Sequence, residues 1–347
     1  MSDSRRFAEL DALRGIAALA VVLFHYTTRY DVIYGHSDSL IFRFPMGHYG
    51  VQLFFMISGF VIFMTLEKMS RGMDFIVSRF SRLYPAYWTA VLLTFAVVTF
   101  AALPGRQVGF NTALVNLSML QTFAHVPLVD GVYWTLAVEL CFYAIMFVLF
   151  KAKLLHRIES VAIVWLLLMI STAVAEQYLD LSIVGPVKVF LIMGFANLFI
   201  AGIMFYKIMK GEASALRYAI VILCLIAQRF VSDWEATLIV AFFFVVLFAV
   251  VRGWLRFIVR KPLIFLGTLT YTLYLVHQNI GYVIIRALAK HSLNSNLSVM
   301  IAISASLSLA SAITFLIEKP ALNLIRKWYK RFQQPRYVTA PAQAGAE

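Results

Sequence analysis

Only two of the 347 residues are cysteine, and only 17 are acidic against 30 basic. The two thiols, Cys141 and Cys224, each sit inside an apolar run, so neither an exposed disulfide nor a cysteine metal cluster is expected. Charged residues of both signs make up 14% of the chain against 62% hydrophobic, at a mean hydropathy of +0.83. That is too little polar surface to cover a water-soluble core. Short alternating segments, the mark of a transmembrane β-barrel, are missing too. The expected class is an all-α polytopic membrane bundle whose lipid-facing surface needs no polar cover.

What is present is a series of apolar windows, near 12–28, 48–66, 84–103, 132–150, 158–175, 189–206, 216–231, 236–251, 263–285 and 297–317. They predict about ten transmembrane helices. The seventh is the weakest, because Arg217 and Arg229 leave only Tyr218 to Gln228 uncharged and both arginines have to snorkel. Charge decides in its favour. With ten spans and a cytoplasmic N-terminus, 22 basic residues fall inside and 7 outside, whereas omitting the seventh gives 15 and 14. Both termini are therefore expected in the cytoplasm. The net charge of +13 then belongs to inner loops facing anionic lipid headgroups, and no nucleic-acid partner is needed to explain it.

No second domain is expected: residues 1–330 read as one transmembrane unit and 331–347, with Pro335 and Pro341, as a basic and then disordered cytoplasmic tail. The first window carries Arg14 and His25 and has no small-residue cleavage site after it, so it is expected to stay as a span. No repeat relates the two halves, which counts against an inverted-repeat transporter.

Four ionisable side chains, Arg14, His25, Glu139 and His277, lie inside spans away from their ends, where each needs a partner or a purpose. Arg14 and His25 are eleven residues apart, three helical turns to within about 20°, so both face one way about 16 Å apart along the axis. Arg14 is then near the cytoplasmic surface, and the two histidines and Glu139 lie in the outer half. An anionic ligand held by Arg14 could extend a flexible arm toward His25. The bland alternative is a snorkelling Arg14 and a His25 bonded to a backbone carbonyl.

The fourth window, YWTLAVELCFY, sets Thr135, Glu139 and Tyr143 on one polar stripe. Glu139 is the one mid-membrane carboxylate expected; beside a histidine it would orient the imidazole and stabilise its charged form, and His25 with Glu139 is the catalytic pair expected. Its alternative is a packing contact with Arg14 or a histidine. Trp134 is either an interface anchor or a wall for sugar stacking. The ninth window, GTLTYTLYLVHQNIG, lines up Thr270, Tyr274, His277 and Gly281, with Tyr271 and Gln278 alongside, so it should face a wet cavity. For His277, catalysis and an interhelical hydrogen bond both stand.

In the second window, GVQLFFMISGF, Gln52 and Ser58 are cavity candidates, while Ser58 and Gly59 also suit close helix packing; no Gly-x-Ser-x-Gly turn makes Ser58 a nucleophile. The stretch DFIVSRFSRLYP puts Arg79 and Arg82 one turn apart, with Arg71 upstream and Pro85 opening the third helix. Such a fork suits phosphate, although ordinary cytoplasmic basicity gives the same pattern.

Together these segments resemble the membrane acyltransferase-3 family, which includes bacterial O-acetylases of O-antigens, exopolysaccharides and nodulation factors. The resemblance covers almost the whole chain and rests on LDALRGIAALAVVLFH, GVQLFFMISGF, RFSRLYPAYW, YWTLAVELCFY, GTLTYTLYLVH and the closing Glu318 and Pro320. It implies acyl transfer from cytosolic acyl-coenzyme A, usually acetyl-CoA, to a hydroxyl of an extracytoplasmic or lipid-linked carbohydrate, in the bacterial cytoplasmic membrane and without a metal. It assigns donor phosphates to Arg79, Arg82 and Arg71, a guiding role to Arg14 and the essential imidazole to His25. Direct transfer with His25 as base and transfer through an acylated His25 both remain open. The competing class is an exporter of a glycan precursor or organic anion.

Overall fold

The computed structural model describes residues 3–178 and 185–333. Each of the ten apolar windows carries helix, and no strand occurs among the described residues. The chain begins with α1 (Asp3–Phe24), which passes through a π-helical turn (His25–Arg29) into α2 (Tyr30–Tyr34). A 3-10 turn (Pro45–Tyr49) leads into α3 (Gly50–Glu67), followed by α4 (Gly72–Phe100), α5 (Phe110–Asn116) and α6 (Trp134–Lys151). Then come α7 (Ile158–Tyr178), α8 (Gly185–Phe190), α9 (Ala196–Met209), α10 (Ala215–Val231) and α11 (Trp234–Arg252). The last are α12 (Lys261–Lys290), α13 (Ser295–Ile313), a π-helical turn (Thr314–Glu318) and α14 (Lys319–Gln333).

Among the described residues, six helices are long and apolar enough to cross a membrane: Pro45–Glu67, Gly72–Phe100, Gly131–Lys151, Leu155–Tyr178, Trp234–Arg252 and Ser295–Phe332. The other windows carry helices that are shorter or more polar, for identifiable reasons. The sixth window breaks in two: α8 ends at Phe190, Ile192 takes a left-handed φ of +47°, and α9 restarts at Ala196. All but the last residue of α9 is buried, so it is surrounded by protein and needs no lipid-length apolar run. The seventh window forms α10, and Arg217 does not snorkel alone: its Nε and Nη2 donate to Glu159 at 2.9 and 2.7 Å.

Two expected boundaries move. Pro85 does not open the third helix but lies inside α4, which begins at Gly72; Tyr329 donates to Asp74 at 2.8 Å and Arg326 to Ser78 at 3.3 Å, so α14 holds this first stretch helical. α14 likewise runs to Gln333, past Arg331, the expected start of the tail; the rest of that expected tail, residues 334–347, lies outside those described.

Glycines set how closely the central helices meet. A Cβ on Gly267 of α12 would stand 2.2 Å from the carbonyl oxygen of Asp11, and one on Gly281 would stand 2.1 Å from the Tyr26 hydroxyl. Only hydrogen fits there, so α1 and α12 run in near-backbone contact. Gly59 and Gly202 repeat the device between α3 and α9, where added Cβ atoms would sit 2.1 Å from Phe199 O and 1.9 Å from Met56 O. The packing role read for Gly59 is therefore observed, while Ser58 turns toward α6.

Loops at the His25 end are tied down. Asn116 Nδ2 donates to the carbonyls of Thr112 and Pro127 at 2.8 and 2.9 Å, and Tyr87 donates to its carbonyl at 2.7 Å. Asp38 accepts the backbone N–H of Ser295 at 2.8 Å and also its hydroxyl. These bonds hold the Asp38 carboxyl below the usual carboxylate range.

Candidate active site

Two cavities lie along the face of α1 that carries Arg14 and His25. The first, about 80 Å³, is lined by Arg14, Arg82, Ser58, Glu139, Tyr143 and Tyr271 among others. The second, about 330 Å³, is lined by His25, Arg29, Arg106, Gln52, Trp134 and Gln278 among others. Val51 and Tyr274 line both. That shared wall is the boundary between them.

In the arginine cavity, Glu139 Oε1 accepts hydrogen bonds from Tyr143 at 2.5 Å and Ser58 at 3.1 Å. The stripe read in the fourth window is thus real: Thr135 donates to the Tyr274 hydroxyl at 2.9 Å, and Tyr143 closes on Glu139 one turn below. Arg14 pairs with Asp11 at 3.7 Å on its own helix. Among the described residues, Arg82 has no ion-pair or hydrogen-bond partner and presents a free guanidinium to the cavity. Arg79 lies behind it, its Cζ 5.8 Å from the Tyr143 ring centre and 5.7 Å from that of Phe75. Glu318, buried at 7% exposure, has Arg82, Arg14 and Lys319 as charged neighbours. Arg71 is apart from this group, exposed at 58% and paired with Asp74 at 3.4 Å.

The second cavity is organised by the two histidines. His277 is fully buried, and its Nδ1 faces two carbonyls, Tyr274 O at 2.9 Å and Leu273 O at 3.2 Å. Carbonyls only accept, so Nδ1 carries the proton and Nε2 is a lone pair. That lone pair is 3.1 Å from His25 Nδ1, which is also 2.8 Å from Val21 O. His25 Nδ1 is therefore protonated as well, and His25 Nε2 is left as a base with no protein partner among the described residues. The ring planes meet edge to face at 4.8 Å.

Backbone geometry supports this pair from both sides. His25 begins the π-helical turn, the kind of local widening that re-aims a side chain. On α12, Tyr26 donates to His277 O at 2.6 Å and Tyr133 to Leu275 O at 3.2 Å, while Asp130 accepts from Asn279 N at 3.0 Å. The helical backbone around His277 is thus pinned by two other segments of the chain, the π-helical turn at Tyr26 and the turn from Asp130 to Tyr133.

The partnership expected between His25 and Glu139 does not form. α12 packs directly on α1 through its glycines, which puts His277 beside His25, while α6 meets α3 and gives Glu139 to Ser58. Nine of the residues read from the sequence meet at the arginine cavity: Arg14, Ser58, Arg82, Thr135, Glu139, Tyr143, Thr270, Tyr271 and Tyr274. His25, Gln52, Trp134 and Gln278 meet at the other. Trp134, 39% exposed, borders the His25 cavity and packs 6.3 Å from Phe55. Missed were Arg29, Arg106 and His48 in that cavity, and Arg326 beside Ser78. Arg106 carries a signal in hindsight: it is the lone cation of the long loop between the third and fourth windows.

Residues 7–319 match the acyltransferase-3 family, described as an acyltransferase domain. Among curated proteins, Protein 2 in picA locus of Rhizobium radiobacter is 36% identical over 98 residues, covering 26% of this chain and 46% of that protein. Exopolysaccharide production protein ExoZ of Rhizobium meliloti (strain 1021) is 31% identical over 112 residues, 30% of this chain and 34% of that protein. The matched stretches span less than half the length of either relative. No solved structure matches significantly. With the family match running over nearly the whole bundle and both cavities, the chain belongs to the acyltransferase-3 family.

Proposed function

We propose that this protein is a membrane O-acyltransferase that moves an acyl group, acetyl from acetyl-CoA, onto a hydroxyl of an extracytoplasmic or lipid-linked carbohydrate. The observation that carries the reading is the free His25 Nε2, fixed as a base by His277 and open to a cavity that shares one wall with a second, arginine-lined cavity. Family membership supplies the reaction class. The printed name of the relative ExoZ, an exopolysaccharide production protein, supports a polysaccharide acceptor.

In this reading ten spans cross the bacterial cytoplasmic membrane with both termini inside, so the arginine cavity opens to the cytosol. Arg82, Arg79 and Arg326 meet the donor's phosphates, with Arg71 at the approach. A cavity of about 80 Å³ suits a thin arm and not a nucleotide, since pockets for drug-sized ligands run to about 300 Å³ and more. The nucleotide stays at the mouth while the pantetheine arm passes Arg14 and Glu139 to the wall at Val51 and Tyr274. Glu139 acts on the donor side, as a hydrogen-bonded counter-charge between Arg14 and Arg82.

On the other side of the wall, His25 Nε2 takes the proton of the acceptor hydroxyl as its oxygen bonds the thioester carbon. The C–S bond breaks, and the proton passes to the departing thiolate to give free coenzyme A. His277 Nε2 and Val21 O accept from His25 Nδ1 throughout, which stabilises the imidazolium formed in between. Purified protein in liposomes given acetyl-CoA and candidate glycans tests the reading. Free thiol released only when acceptor is present is expected; glycan flux without thiol release would point to a transporter and overturn it.

A further inference from the structure

The cations around the His25 cavity are not all alike. Of the seven basic residues that the charge count assigns to this side, Arg43 pairs with Asp31 at 2.8 Å and Lys188 with Glu176 at 2.5 Å, while Lys290 is exposed at the end of α12 and does not line the cavity. Arg229 lies 4.7 Å from the Trp234 ring centre, and Arg286 lies 5.5 Å from that of Tyr34. Arg29 and Arg106 have no ion-pair or hydrogen-bond partner among the described residues, and both line the cavity and are charged neighbours of His25. Among the described residues, no carboxylate lines it. Asp130, which interacts electrostatically with Arg106, is fully buried and spends its oxygens on the N–H groups of Val132 and Asn279 at 3.3 and 3.0 Å. Basic residues are scarce on the side facing away from the cytosol, so two uncompensated ones at a single cavity require an explanation other than topology.

We propose that the His25 cavity takes an anionic carbohydrate: Arg29 and Arg106 hold an oxyanion on the acceptor, Trp134 borders the sugar ring, and the hydroxyl to be acylated reaches His25 Nε2. The inference rests on the reading of this cavity as the acceptor side of an acyltransferase. The oxyanion is a carboxylate on the sugar or the phosphate of a sugar phosphate, since guanidinium recognises both through the same paired N–H geometry. Gln52 fits the same picture: its side-chain oxygen is buried without a partner beside the cavity and is free to accept from a sugar hydroxyl.

The charge does more than bind. As His25 takes the hydroxyl proton it becomes a cation next to two others, and their repulsion opposes the step. An oxyanion between Arg29 and Arg106 cancels that repulsion, so an anionic acceptor is favoured in the reaction as well as in binding. A neutral acceptor leaves it in place.

The test uses the full-length protein in liposomes, with acetyl-CoA and three acceptors matched in length: a neutral glucose oligosaccharide, one ending in glucuronate, and one ending in glucose phosphate. Thiol release gives kcat/KM for each. The expected result is a preference of about tenfold or more for one or both anionic acceptors, the value of a charge-assisted hydrogen bond converted to a rate ratio. Which anionic arm leads identifies the source of the charge. Arg29→Gln and Arg106→Gln should each reduce that preference toward unity, with residual transfer to the neutral acceptor reporting that the variant folds; Arg106→Lys, which keeps the charge, should retain part of it. Equal kcat/KM for all three acceptors in the wild type, or a preference untouched in both glutamine variants, overturns the inference while leaving the acyltransferase intact. Thiol release with no acceptor at all, or none with any, would instead count against the acyltransferase reading itself.

Discussion

The two cavities on one face of α1 differ in size and in how their charge is balanced. The arginine cavity is small, about 80 Å³, and it has a carboxyl on its lining, Glu139, with Asp11 and buried Glu318 beside its arginines. The His25 cavity is larger, about 330 Å³, and its arginines have no acid on the lining. A cationic site with built-in acids is stable when empty and exchanges one anion for another; one without them is left for a ligand to complete. The first suits a donor that enters and leaves as an anion in every cycle. The second suits a site whose occupant brings the missing charge.

The comparison breaks most sharply at the histidines. His25→Ala should abolish transfer, a loss of at least about 100-fold, the usual range for removing a positioned general base, while acetyl-CoA still binds at the other cavity; transfer within a few-fold of wild type would remove His25 from the chemistry. His277 is a positioning residue, and its effect should be smaller. His277→Phe leaves His25 free to rotate and lose its tautomer, whereas His277→Gln can still accept from His25 Nδ1 through its amide oxygen. The Gln variant should therefore retain more kcat than the Phe variant with KM for acceptor little changed. Equal losses would reduce His277 to packing.

A milder effect is expected where the arginine cavity meets solvent. Arg79→Gln with Arg82→Gln should raise KM for acetyl-CoA by about tenfold or more, as for loss of charge-assisted phosphate contacts, with KM for acceptor unchanged. A rise in the acceptor KM instead would mean that the two cavities are not divided between the two substrates.

Much of this was legible because a membrane imposes strong rules. Arg14, His25, Glu139 and His277 stood out from the sequence because each is costly in lipid, and each lies at or beside a cavity. The helical stripes read in α6 and α12 became hydrogen-bonded lines, such as Thr135 to Tyr274. Which stripe faces which was not legible. Periodicity gives a direction on each helix but not the neighbour it meets, so His25 was matched with Glu139 when the close contact at Gly267 and Gly281 brings His277 instead. The glycines held that information, but a glycine in an apolar run signals a close approach without saying to what. Arg29 and Arg106 were passed over for a related reason. Both lie at or beyond a span's end, where a cation is cheap, and only the absence of partners in three dimensions sets them apart.

The smallest effect expected lies at the mouth of the His25 side, where the loop after α2 is fastened to the start of α13. The carboxylate of Asp38 accepts the hydroxyl and backbone N–H of Ser295, and these bonds favour the ionised form, so its titration in the fold lies below the ordinary value near 4. A depressed carboxylate contributes its stabilisation above the unfolded value and loses it as pH falls through the lower, folded one. Between pH 5 and pH 8 the fastening should therefore be constant, and below about pH 4 it should weaken. Amide exchange of residues 36–44 in the detergent-solubilised protein reads this locally: exchange corrected for intrinsic rates should be flat down to about pH 4 and then quicken by a few-fold. Asp38→Asn should show the quicker rate at every pH. Because Asp38 is solvent-exposed, the change should stay within this loop and leave the histidine pair, held by α1 and α12, unaffected; a fall in transfer rate in parallel with loop opening would mean that the loop forms part of the acceptor site.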